Sequence, residues 1–156
     1  MKCKACRGGE LVVSRETRKA PEFGLTNFVL VNVEVRRCPK CGEELVVIPR
    51  LSQLLVTLTT AVARKPARLT GEEIRFLRKR LDMTGDELGA AMGVDKATVS
   101  RWETNTQPIG PQADRLLRLM VMRELSPTDL AHVATEEPRQ EVVRATDERG
   151  NWRLAG

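Results

Sequence analysis

The four cysteines of this chain stand as two Cys-x-x-Cys pairs, Cys3/Cys6 and Cys38/Cys41, and that spacing limits the possible folds more than any other feature. Each pair sets two thiolates on one tight turn, and two such turns complete the tetrahedron that a closed structural Zn²⁺ site accepts. A glycine follows the second ligand of each pair, in Cys6-Arg7-Gly8 and Cys41-Gly42, where a positive φ would aim backbone N–H groups at sulfur. The expectation is one structural zinc held by Cys3, Cys6, Cys38 and Cys41. The competing reading is two disulfides or free thiols, but nothing in the chain suggests an oxidising compartment. Four sulfurs leave the metal no open position for hydrolysis. The single histidine, His132, reads as a helix-surface or packing residue. With no phosphate-cradling glycine loop and no nucleophile elbow, no catalytic residue and no enzyme activity are expected.

The fold class that follows is α+β: a small zinc-bound β domain with a helix, then an all-α five-helix domain. A four-cysteine module this short hides too little apolar surface to be secure alone, and metal binding supplies on the order of 10 kcal/mol of folding energy. In residues 1–66, Glu10 to Arg18, with Leu11, Val12 and Val13, reads as a strand. Val31, Val33 and Val35 alternate with Asn32, Glu34 and Arg36 in a longer strand, Asn27 to Arg37, after a turn at Pro21 to Gly24. Leu51, Leu54, Leu55, Leu58 and Val62 then recur at helical spacing. Arg64-Lys65-Pro66-Ala67-Arg68 is polar, basic and broken by proline, so the boundary falls there. Residues 1–66 hold twelve Lys/Arg against six Asp/Glu and residues 67–137 ten against twelve. Bulk charge therefore does not mark the second domain as a nucleic-acid binder, and any such case rests on its motif. Charged first residues that include a metal ligand argue against a signal peptide, and no apolar run reaches membrane-spanning length; a soluble, cytoplasmic protein is expected.

The motif lies in residues 67–137. Thr70-Gly-Glu-Glu73 and Thr84-Gly-Asp-Glu87 are capping boxes that open successive helices. Ile74, Leu77 and Leu81 give the first an apolar face. Gly89 lets the next helix approach and Gly93 ends the second helix. Asp95 caps a third, Lys96 to Glu103, whose Val99 and Trp102 face inward. Lys96, Ala97, Ser100 and Arg101 are then left on its outer face, where the helix can enter a DNA major groove and Arg101 can pair with guanine. Aromatic residues are few and unclustered, and tyrosine is absent, so a base-stacking RNA platform is not expected.

The run from Met83 to Glu103 resembles the Cro/C1 type of helix-turn-helix. Joined to the double Cys-x-x-Cys module, it is similar to the MqsA-type (YgiT-type) antitoxins over residues 1 to about 125. The resemblance implies a zinc-bound N-terminal domain, a homodimer through the helical domain, palindromic double-stranded operators, repression of the chain's own operon, and sequestration of an RNA-cleaving protein toxin. It also implies an Arg78–Glu103 pair. Gly85 stands where many such repressors carry glutamine, and Ala97 where MqsA-type proteins read adenine with asparagine. The alternative is a stand-alone zinc- or redox-responsive transcription factor with no toxin partner.

A fourth helix, Pro111 to about Leu125, covers the core with Ala113, Leu117 and Met120, leaving Leu116, Leu119 and Met122 for a twofold partner or for a following helix, Ser126 to Glu137. The tail, residues 138–156, reads as disordered or a short hairpin around Asp-Glu-Arg-Gly-Asn.

Overall fold

The computed structural model describes residues 1–123, 138, 140–145 and 150–154. Strand β1 (Val12–Ala20) turns through a 3₁₀ turn at Pro21–Phe23 into β2 (Leu25–Arg37), and the two pair antiparallel. The long β2 is the spine. On its other edge β3 (Glu44–Val47) pairs antiparallel with Glu34 to Arg37, while β4 (Glu141–Ala145) pairs parallel with Phe28 to Val31. Strand β5 (Trp152–Leu154) closes an antiparallel hairpin on β4.

The plain alternation of valines along β2 does not survive. Between the pairs Glu16/Val33 and Arg18/Leu30 the register slips by one residue, and Asn32 sits there at φ 64°. Such a bulge swaps the face on which later side chains point. Phe28 and Leu30 before it and Val33 and Val35 after it are all buried as a result, whereas Val31 is only half-buried.

Helix α1 (Leu51–Arg64) buries Leu54, Leu58 and Val62 on the expected face. Its β-branched Thr57 and Thr59 donate their hydroxyls to the carbonyls of Gln53 and Leu55, 2.9 and 2.6 Å away, which satisfies them inside the helix. The helical part follows as α2 (Gly71–Arg80), α3 (Gly85–Met92), α4 (Lys96–Glu103) and α5 (Pro111–Met122). Both capping boxes form: Thr70 and Thr84 accept from the amides of Glu73 and Glu87, whose carboxylates reach back. The helix expected over Ser126 to Glu137, and His132 within it, lie outside the described residues. The helical part thus shows four helices among the described residues, and α5 ends at Met122, which is buried rather than free for a partner.

One apolar core runs from Phe28 and Val33 of the sheet through Leu54 and Leu58 to Ile74, Leu77, Leu88, Val99 and Trp102. The basic segment after α1 belongs to it, with Lys65, Ala67 and Leu69 buried. Arg118 of α5, wholly buried, holds this segment. Its Nε donates to Asp114, its Nη1 to the carbonyls of Val62, Ala63 and Lys65, and its Nη2 to that of Ala67. Asp114 in turn accepts the Leu69 amide at 2.8 Å. Lys65 Nζ lies 2.6 Å from buried Glu73, at an angle that gives an ion pair without a directed hydrogen bond. Asn27 of β2 donates to the same carboxylate at 2.8 Å. Carbonyls at a helix C-terminus have no partner within the helix, and here a guanidinium supplies donors for them.

The tail is ordered over its described strands. Val143 and Trp152 are buried, and Trp152 Nε1 donates to the Pro49 carbonyl at 3.0 Å. Strands β4 and β5 therefore return to the sheet that β1 and β2 begin.

Candidate metal centre and nucleic-acid interface

The two cysteine turns are built alike. The Arg7 amide donates to the Cys3 carbonyl and the Gly42 amide to that of Cys38, each at 2.9 Å. The flanks are tied in the same way, Cys3 N–H to Gly9 and Cys38 N–H to Glu43, each at 2.8 Å. The positive φ expected at Gly8 falls instead on Arg7, at 54°, whereas Gly42 takes it as expected, at 75°. The glycine that the first turn needs is Gly9: a Cβ there would stand 2.5 Å from Cys38 Sγ. Packing against sulfur, rather than backbone freedom, is the reason for glycine at that position.

These turns bring all four sulfurs within 4.8 Å of one another, with 3.6 Å between Cys3 and Cys41 and 3.7 Å between Cys6 and Cys38. A disulfide needs about 2.05 Å, so the thiols are free of each other. A tetrahedral cation with metal–sulfur bonds of about 2.3 Å gives sulfur–sulfur edges of about 3.8 Å, and the observed spacing fits. The set can bind a metal ion. Unmetallated, it would take charge unevenly. The Gly8 amide holds the Cys6 thiol down to about 6. Cys41 has the Glu43 amide in its favour, yet desolvation and the neighbouring sulfurs push it up to about 12. A divalent cation relieves that repulsion and lets all four ionise.

The second candidate surface is α4. Its position comes from α3, where the turn between them has Gly93 at φ 72° and Gly89 lies so close to Val94 that a Cβ would meet the Val94 carbonyl oxygen at 2.7 Å. Asp95 caps α4 by accepting the Thr98 amide at 2.7 Å. Val99 and Trp102 are buried, and Lys96, Ala97, Ser100 and Arg101 are all exposed. Lys96 makes one solvated contact with Asp86 at 3.3 Å, an exposed pair worth little. From behind, Arg78 of α2 grips Glu103 through Nε at 2.6 Å and Nη2 at 3.2 Å, the pair that the resemblance implied. Glu103 raises the Arg78 pKa, so the charge on α2 stays fixed under α4.

A family model described as the antitoxin component of the bacterial toxin–antitoxin system, MqsA, matches residues 1–130. The chain belongs to the MqsA antitoxin family. No curated protein matches it. The MqsA match takes in both the sulfur cluster and the outer face of α4, and it ends before β4 and β5. Three features that position these surfaces in this MqsA family member were not read from the sequence: Gly9 under the sulfurs, the Arg118 clamp and the loop after α4. Only the second had a signal, the four-residue spacing of Asp114 and Arg118 on one helix face. Among the described residues no helix is long and apolar enough to cross a membrane.

Proposed function

We propose that the chain is a zinc-containing, sequence-specific DNA-binding repressor, cytoplasmic, that acts as the antitoxin of a type II pair. The observation that carries this reading is the split on α4, where Val99 and Trp102 are buried while Lys96, Ala97, Ser100 and Arg101 face outward. In a Cro/C1-type helix-turn-helix that outer face lies in the major groove, with Arg101 on guanine and Lys96 near phosphate. Cys3, Cys6, Cys38 and Cys41 hold one structural Zn²⁺, whose chemistry is to fix the fold of the sheet's first strands. Leu116 and Leu119 on α5 are 39% and 54% exposed, and a twofold partner across them would present two reading helices to a palindrome. Membership of an antitoxin family supports a protein toxin, RNA-cleaving, as the second partner.

The test is a footprint of the full chain on the duplex upstream of its own coding sequence. Wild type should protect two half-sites about 34 Å apart. Arg101→Ala should lose about ten- to a hundredfold of its preference for that duplex over random DNA, since one bidentate pair supplies about 1 to 3 kcal/mol of discrimination. Unchanged selectivity in Arg101→Ala would remove α4 as the reading helix.

A further inference from the structure

The loop that follows α4 bears on Arg101 itself. After Glu103 the chain does not leave the helix but wraps its end. The Thr104 amide returns to the Ser100 carbonyl, and the Thr106 and Gln107 amides both donate to the Arg101 carbonyl, at 3.0 and 3.1 Å. Asn105 makes the wrap possible at φ 58°. Its side chain accepts the Gly71 amide at 2.8 Å, which ties the loop to the start of α2. The Gln107 backbone is thus held against the end of α4, in a loop that Asn105 ties to α2, although its side chain is on the surface.

From that position Gln107 Oε1 accepts Arg101 Nε at 3.1 Å. Thr98, one turn earlier, accepts Arg101 Nη2 at 2.9 Å, and Thr98 is itself held by Asp95 through its amide. A free arginine side chain holds roughly 2 kcal/mol of rotamer entropy, part of which it surrenders on pairing with a base. Two acceptors, one on the loop and one on the helix, restrain the guanidinium beforehand. They leave Nη1 and part of Nη2 for a guanine edge. Gln107 carries no charge, so it adds nothing to general attraction for phosphate.

Resting on the reading of α4 as the DNA-reading helix, we propose that Gln107 is a positioning residue for base recognition: it orients the Arg101 guanidinium, with Thr98, so that its terminal nitrogens meet guanine. Its contribution is to selectivity rather than to overall affinity.

The experiment is selection from a randomised duplex DNA library with the full chain, comparing wild type, Gln107→Ala, Gln107→Glu, Arg101→Ala and the Gln107→Ala/Arg101→Ala double variant. Thermal midpoints are read in parallel, and those of the Gln107 variants should match wild type. Wild type should select a guanine in each half-site. Gln107→Ala should reduce that guanine preference about two- to tenfold, the scale of one net hydrogen bond, with the same binding to random DNA and the same salt slope. Gln107→Glu keeps an acceptor for Nε, so it should retain the guanine preference while binding all duplexes more weakly. In the double variant Gln107→Ala should add nothing to Arg101→Ala, as expected for two residues acting through one contact. Full guanine preference in Gln107→Ala, or an effect that persists in the Arg101→Ala background, would overturn the proposal while leaving α4 as the reading helix. Unchanged selection by Arg101→Ala would instead bring down the reading itself, and this proposal with it.

Discussion

The cysteine turns and the helical part solve the same problem of stability in opposite ways. In residues 1–10 and 38–43 only Cys3, Gly9 and Cys38 are buried, so these turns have almost no apolar core of their own. Around α2 to α5, by contrast, Ile74, Leu77, Leu88, Val99, Trp102 and Leu117 are closed off from water. Burial of such side chains contributes about 1.5 to 3 kcal/mol each. The turns have four clustered sulfurs that can hold a metal ion where the helices have packed apolar side chains.

The largest expected effect comes from metal removal. Chelation of the proposed Zn²⁺ should cost on the order of 10 kcal/mol at the turns, and Cys38→Ser, which removes one of the four sulfurs, a part of that. Amide hydrogens of Cys3, Cys38 and the β1–β2 pairing nearest them should lose protection from exchange, while those inside α2 and α4 keep theirs. Equal loss in both regions would show that the helices depend on the metal too.

Next in size is the junction between the two. Arg118→Met leaves Asp114 buried with only the Leu69 amide for company and strips donors from the carbonyls after α1. Removing one member of a buried ion pair typically costs about 3 to 5 kcal/mol. Denaturant unfolding of the wild type should be one transition, since the core is shared, and the variant should separate a sheet transition from a helical one. A single transition shifted by less than about 1 kcal/mol would mean that the apolar core alone joins the parts, a value below the usual cost of a stranded buried carboxylate.

How far the sequence led can be judged at the same places. The sulfur cluster and the capped helices were legible because each follows from local spacing: a Cys-x-x-Cys turn and a Thr-x-x-Glu box carry their own geometry. The outer face of α4 was legible for the same reason. The bulge at Asn32 was not, because plain alternation in β2 gives no sign of an inserted residue. Strand β3 was missed, since Glu44 to Val47 is too short to show a period. The tail allowed either disorder or a hairpin. Its pairing with β2 depends on long-range partners, Phe28 to Val31, that no local pattern announces. Lys65 and Pro66 look like a solvated linker from composition, and only the distant Arg118 and Glu73 explain why that segment is buried. Local chemistry was readable, and long-range satisfaction of polar groups was not.

The smallest effect separates the two regions by pH. Glu87 is held below the usual carboxylate range by the Thr84 amide and hydroxyl, and Asp95 by the Thr98 hydroxyl and amide, with Arg101 nearby. A carboxyl whose folded pKa is depressed adds stability above its unfolded value, near 4, and loses it as pH falls through the folded pKa. Acid also protonates thiolates and would release a metal ion held by them, so a bare melting curve would mix both regions. Asp95→Asn resolves them, because asparagine keeps the cap without titrating. The thermal midpoint of the wild type should exceed that of Asp95→Asn by a small margin at about pH 6, and the margin should shrink as pH falls below about 4 toward the depressed folded pKa. A margin that stays constant across that range would mean the carboxylate's charge does not contribute to the cap, leaving the hydrogen-bond geometry of α4 to carry it alone.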